Sequence, residues 1–185
     1  MIEPFRLIRS GVDVAPLVEQ LAAHPELWGQ QKARLVPGSP HSETVDIWVR
    51  FRDVDAYVAE YGSDMARFVD EHESVWLPPA LVLPGAVAIA TNLAGDRRLG
   101  GVLITKTPPG GQIKPHVDGG WHAQAHDKFY VAIQADDGCL FRWDGSDLIA
   151  SPGDIWEFRN DIPHSVENHS SRDRLSMIVC LRRDL

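Results

Sequence analysis

Beyond Gly100 the chain breaks into short apolar runs separated by turn chemistry, and this rhythm limits its fold more than any other feature. Val102 to Thr107 is followed by Pro108-Pro109-Gly110-Gly111, Phe129 to Ile133 by Asp136-Asp137-Gly138, and Leu140 to Trp143 by Asp144-Gly145. Leu148 to Ala150 is followed by Ser151-Pro152-Gly153, and Ile155 to Phe158, Ser165 to Asn168 and Leu175 to Leu181 complete the set. Each run is too short for a helix that buries a stripe, and each is bounded by residues that reverse the chain. Many short strands at close spacing predict an all-β sandwich or barrel, here a double-stranded jelly roll.

The first half reads differently. Residues 13–24 predict a helix with Asp13 as cap, Val14, Leu17, Val18 and Leu21 on one face, and Pro25 after the end. Glu43 to Phe51 alternates as a strand through Val45, Ile47 and Val49. Residues 53–60 and 64–76 predict helices, the second carrying Met65, Phe68, Val69 and Val75, and Pro84 to Leu93 predicts a short helix opened by proline. At 185 residues the chain fits one domain, 1–185. Its helix-rich half, 1–98, is expected to pack on a jelly-roll core, 99–185.

The net charge of −8 and the lack of a basic stripe argue against nucleic acid or an anionic membrane as partner. Cys139 and Cys180 are the only cysteines, too few for a disulfide framework. Met1 to Leu7 lacks the apolar core of a signal peptide, and no apolar run approaches membrane-spanning length, so a cytoplasmic location is expected. Nothing in the sequence fixes an oligomeric state.

Within the β-rich half, Ile113-Lys-Pro-His116-Val-Asp118-Gly-Gly and Ile162-Pro-His164-Ser-Val hold the chemistry. If the strand continues through them, His116 and Asp118 share a face. A His-x-Asp pair with one distant His can place two imidazoles and one carboxylate on one side of a metal, leaving the other side open. That arrangement suits Fe(II), which needs room for a cosubstrate and O₂, whereas a structural zinc site is closed. The alternative is polar residues without a metal, but an unpaired carboxylate beside two imidazoles is costly to hold without a cation. His122 and His126 are four apart, as a helical chelate would be, although the glycines before them favour a loop. His24, His72 and His169 read as surface histidines.

Arg174 lies on the last strong strand, in line with Ser176, Ile178 and Cys180 by the period of two. An arginine on a buried face needs an anion. Its planar fork suits a carboxylate, to which Ser176 can add a hydrogen bond. An internal Asp or Glu is the competing partner.

Taken together, His116-Val-Asp118, His164 and Arg174-Leu-Ser176 resemble the Fe(II)/2-oxoglutarate-dependent dioxygenases. The stretches Pro152-Gly-Asp-Ile-Trp-Glu-Phe-Arg-Asn160, Pro163-His-Ser-Val-Glu-Asn168 and Asp173-Arg-Leu-Ser176 are similar to the aspartyl/asparaginyl β-hydroxylase branch, which includes bacterial free-proline hydroxylases. The similarity spans residues 100–182. It implies a mainly β fold with N-terminal helices, a double-stranded β-helix of the cupin-like, jelly-roll kind. It implies that His116, Asp118 and His164 bind Fe(II) and that Arg174 holds the distal carboxylate of 2-oxoglutarate. O₂ would be the second cosubstrate, succinate and CO₂ the by-products, and a hydroxylated C–H bond the result. The branch often carries Arg-x-His on the strand after the metal pair. Here His126 and Lys128 stand at those places, with Tyr130 on the same face, as further cosubstrate contacts.

For substrate, the resemblance implies a small molecule or peptide: a free amino acid or an amino-acid residue. Trp121, His122, His41 and Arg142 are candidate contacts, with Trp28 and Trp143 at the rim; Trp156 reads as packing. The acidic surface suits a basic or neutral partner at least as well as an acidic one. Two other classes compete: a different metal-dependent cupin enzyme, which would not need Arg174 in the pocket, and a non-enzymatic small-molecule-binding jelly roll.

Overall fold

The computed structural model describes residues 4–32, 34–62, 74–143 and 145–183. Met65, Phe68, Val69, His72 and Asp144 lie outside these. The strands are β1 (Phe5–Arg9), β2 (Val45–Arg52), β3 (Ser74–Trp76), β4 (Leu99–Thr107), β5 (Gln112–His116), β6 (His126–Gln134), β7 (Cys139–Trp143), β8 (Ser146–Leu148), β9 (Ile155–Phe158), β10 (His164–Asn168) and β11 (Arg174–Arg182). The helices are α1 (Ala15–Ala23), α2 (Val54–Tyr61), α3 (Pro84–Ala94) and α4 (Gly120–Ala125). A seven-stranded sheet has the order β1-β9-β6-β11-β4-β2-β3, and a four-stranded sheet the order β5-β10-β7-β8. From β4 onward the strands cross between the two antiparallel sheets as a jelly roll does.

The helical starts follow local chemistry. Asp13 accepts the Ala15 N–H at 3.1 Å ahead of α1, and Asp53 caps α2 by accepting the Ala56 N–H at 2.9 Å. Pro84 opens α3. Pro115 is tolerated in β5 because β5 is a sheet edge.

Several expectations shift. The first half supplies strands as well as helices: β1, β2 and β3 all join the large sheet. Edge strand β1 was not legible because Leu7 is exposed and its neighbours do not alternate cleanly. The helix expected over 64–76 is contradicted at its end, where Ser74–Trp76 is a strand paired with Arg50–Arg52. The run placed at Leu148 to Ala150 pairs two residues earlier, as Ser146–Leu148 against Phe141–Trp143.

The large sheet is apolar on one face and mixed on the other. Phe129, Val131 and Ile133 of β6 and Leu175, Met177, Val179 and Leu181 of β11 pack with Leu17 and Leu21 of α1 and Ala86, Ile89 and Ala90 of α3. On the inner face Tyr130, Phe141, Phe158, Val166 and Ile113 form a second cluster between the sheets. Period-two alternation thus gives one face to the helices and the other to the cleft. Among the described residues, no helix is long and apolar enough to cross a membrane.

Leu17 is fully buried under α3, whereas Leu81 is 86% exposed. Leu17→Ala is expected to lower unfolding free energy by about 2–5 kcal/mol, and Leu81→Ala by less than about 0.5 kcal/mol. Urea denaturation of the two variants checks this; equal stabilities would refute the packing of α1 on the sheet.

Candidate functional site

The register of the small sheet builds the centre of the site. β10 pairs with β5 so that His164 lies opposite His116. Directly opposed residues project to the same face, and the two rings stand 4.4 Å apart. His116 Nδ1 lies 2.8 Å from the Lys114 carbonyl and His164 Nδ1 2.9 Å from the Ile162 carbonyl. A carbonyl only accepts, so each Nδ1 carries the proton and each Nε2 keeps its lone pair. Both Nε2 atoms face Asp118, at 3.6 Å from Oδ1 for His116 and 3.7 Å from Oδ2 for His164.

Asp118 reaches this point by a route the sequence did not suggest. β5 ends at His116, so strand alternation does not position the carboxylate. Instead the Asp118 N–H donates to the Asn160 carbonyl at 3.0 Å, while the buried Asn160 side chain donates to the Ala123 carbonyl of α4 at 3.1 Å. Asn160 therefore pins both the metal-side loop and the helix after it, a role with no sequence signal beyond its place in a turn.

Among the described residues, His116, Asp118 and His164 are the one group of three metal-type ligands, their ligand atoms within 4.8 Å of one another. The donor set fits a divalent ion of the iron type: two neutral imidazoles and one carboxylate converge from one side. Burial raises the Asp118 pKa, but the adjacent His116 and the charge and hydrogen bond of Lys128 outweigh it, holding the carboxyl well below its usual range. Burial also lowers the His164 pKa, which keeps that imidazole neutral. Cys180 lines the same cavity, but burial pushes its thiol up to about 11, so it stays protonated at neutral pH and is not a thiolate ligand.

The triad opens into a cavity of about 240 Å³ between the sheets. Arg174, Ser176, Ile178 and Cys180 all line it, as the alternation along β11 predicts. Arg174 is 2% exposed; its Nη1 donates to Ser176 Oγ at 3.2 Å, and its guanidinium lies 4.9 Å from the centre of the Tyr130 ring. No acidic side chain among the described residues pairs with it, which leaves a buried cation ready for an anionic ligand. Lys128 and Tyr130 also line the cavity, and Lys128 Nζ meets Asp118 Oδ2 at 2.7 Å.

Other candidates divide. His41 is in the cavity, its ring 4.9 Å from that of His116. Arg34 Nη2 lies 2.7 Å from His41 Nε2, and burial and then the Arg34 charge push the His41 pKa down to about 2. His122 also lines the cavity, but on a helix rather than the expected loop: Gly119 caps α4 in extended conformation and the Asn160 side chain donates to the Ala123 carbonyl. His126 does not line the cavity. It begins β6 four residues before Tyr130, stacks on His122 at 4.1 Å, and packs where a Cβ on Gly100 would come within 2.6 Å of its ring. Arg142 is also outside, half-exposed and facing Asp147 at 3.6 Å and Glu167 at 3.4 Å. Trp28 packs with the helical core under Lys106, and Trp143 and Trp156 likewise lie outside the cavity. The Trp121 side chain is outside the described part of the structure.

The sequence reading missed Arg34, Trp48, Arg50 and Phe51, which also line the cavity. Asp46, Trp48 and Arg50 alternate with buried Ile47 and Val49, a signal that was present. Arg34 sits in an irregular stretch without periodicity. Its Nη1 lies 3.3 Å from buried Asp46, which also accepts from Thr105 Oγ1 at 2.8 Å. Burial raises the Asp46 pKa against the opposing charge of Arg34.

A family model described as aspartyl/asparaginyl β-hydroxylase matches residues 82–184. Among solved structures, an oxidoreductase of the 2OG-Fe(II) oxygenase family from Burkholderia pseudomallei superposes with a TM-score of 0.56 at 14% identity, covering 98% of this chain and 85% of that one. The viral collagen prolyl hydroxylase of Paramecium Bursaria Chlorella virus-1, solved as a 2OG complex, gives 0.56 at 10% identity, covering 99% and 97%. At these identities the likeness is one of fold. No curated protein matches the chain in sequence.

His116→Ala and His164→Ala are each expected to abolish stoichiometric Co(II) uptake by the purified chain, while Arg142→Ala leaves it unchanged. Anaerobic titration followed by ligand-field absorption checks this; uptake retained in both histidine variants would move the metal elsewhere.

Proposed function

The chain belongs to the aspartyl/asparaginyl β-hydroxylase family, and on that premise we propose an Fe(II)- and 2-oxoglutarate-dependent dioxygenase that hydroxylates a C–H bond of an amino acid or of an amino-acid residue in a peptide. One observation carries the reading: an open-sided His116–Asp118–His164 cluster and a buried arginine without an acidic partner line the same small cavity. Another kind of metal-dependent cupin enzyme, or a binding jelly roll, has no use for Arg174 there.

In this reading His116, Asp118 and His164 hold Fe(II) from one side. Arg174 receives the distal carboxylate of 2-oxoglutarate, with Ser176 and Tyr130 beside it. Iron and 2-oxoglutarate supply the oxidising chemistry when bound: O₂ is consumed, 2-oxoglutarate becomes succinate and CO₂, and one oxygen atom enters the substrate C–H bond. The chain binds, orients and excludes water. Phe141 and Phe158 flank His164 at 5.8 and 5.6 Å and add apolar surface to the cavity, which strengthens the charge pairing at Arg174. No side chain is needed as general base.

The part of the cavity lined by Arg34, His41, Trp48, Arg50 and Phe51 is the proposed substrate side. The buried acid behind Arg34, Asp46, does not line the cavity and is engaged by Arg34 and Thr105. A neutral or acidic substrate group with an apolar body therefore fits better than a basic one, despite the acidic surface. A cavity of about 240 Å³ suits a small molecule or one residue of a peptide. We further propose that the chain works as one unit, since strands from 1–98 and 99–185 share a sheet. Cytoplasmic location is also proposed, consistent with the free thiols of Cys139 and Cys180.

Anaerobic addition of Fe(II) and 2-oxoglutarate is expected to give a weak visible charge-transfer band, and admission of air to release succinate. No band and no succinate would defeat the proposal. Arg174→Ala is expected to raise the KM for 2-oxoglutarate by at least about tenfold, since truncating a buried charge pair costs about 2 kcal/mol or more, while Fe(II) still binds. An unchanged KM would remove Arg174 from this role.

A further inference from the structure

The two oxygens of Asp118 are not equivalent. Oδ2 is held by the Lys128 ammonium at 2.7 Å, a charge-assisted hydrogen bond between side chains only 15% and 18% exposed. Each oxygen faces one imidazole, Oδ1 at 3.6 Å from His116 Nε2 and Oδ2 at 3.7 Å from His164 Nε2, so the Lys128 ammonium is what distinguishes them. Lys128 is itself fixed, because β6 is paired on both sides, with Phe158 of β9 and Cys180 of β11 opposite it. Its ammonium therefore meets the carboxylate as part of the sheet and not as a mobile surface charge.

We propose that Lys128 is a positioning residue that restricts Asp118 to a single metal-binding oxygen. This rests on the metal triad proposed above. A carboxylate can offer one or both oxygens to a metal. In an octahedral site, two imidazoles and one carboxylate oxygen leave three positions on the cavity side. Chelation by 2-oxoglutarate uses two of these and leaves one for O₂. If Asp118 bound through both oxygens, that last position would be lost. Engaging Oδ2 with an ammonium prevents this, and the same positive charge weakens the hold of the site on a divalent cation. Lys128 thus trades metal affinity for an open coordination face. This differs from a cosubstrate anchor, which would act on 2-oxoglutarate and leave the metal alone.

The test uses Mn(II) alone, an octahedral stand-in that needs no cosubstrate, on the full chain. Wild-type protein is expected to hold one Mn(II) with about three exchangeable waters by water-proton relaxation. Lys128→Met is expected to bind Mn(II) more tightly by roughly tenfold or more, because a unit charge close to the metal is removed, and to show about one water fewer. Lys128→Arg, which keeps the charge and the donor, is expected to restore wild-type affinity and water count. Unchanged or weaker Mn(II) binding in a Lys128→Met protein that melts like wild type overturns the proposal. Should Lys128→Met not fold, Lys128→Leu, which likewise removes both the charge and the donor, carries the same expectation. Wild type that takes up no Mn(II) would overturn the triad itself, whereas wild type that binds Mn(II) alongside an indistinguishable Lys128→Met overturns Lys128 alone.

Discussion

The pairing of β10 with β5 is the constraint on which the site depends. It sets His164 opposite His116, and a slip of one residue would turn one imidazole to the other face of the sheet. β10 is held on its other side by five consecutive pairs with β7, from His164–Trp143 to Asn168–Cys139. The edge strand β5 then needs only to dock on a strand already in register. The backbone carbonyls of Lys114 in β5 and of Ile162 just before β10 fix both tautomers, so each His is oriented by a carbonyl two residues before it.

Around that centre the large sheet divides labour by alternation. One set of β6 and β11 side chains seals against α1 and α3, and the other carries Lys128, Tyr130, Arg174 and Ser176. A buried guanidinium is a stability burden, with a desolvation penalty of several kcal/mol before any partner arrives. The apolar core on the opposite face of the sheet, from Leu17 to Met177, supplies stability that offsets it. The low dielectric that raises this penalty also strengthens the grip on an incoming carboxylate.

Much of this was legible in the chain itself. The turn-punctuated runs after Gly100 correspond to strands of the jelly roll, and the period of two put Arg174, Ser176, Ile178 and Cys180 on one face, where they all line the cavity. The same rule failed for Asp118, because the strand stops at His116 and a backbone bond to Asn160 takes over. It also failed for His126, which has the right face but the wrong end of β6. Arg34 was invisible because an irregular segment has no period to read.

The sequence by itself determined which residue types can bind a metal and an anion, and which strand faces they share, because these follow from side-chain chemistry and from alternation within one strand. Tertiary structure alone decided that Asp118 sits between two imidazoles, that Lys128 takes one of its oxygens, and that Arg34, His41 and Arg50 line the same cavity. Those outcomes depend on hydrogen bonds and packing between segments distant in the chain, such as Asp118 with Asn160 and Arg34 with Asp46, and local periodicity carries no record of them.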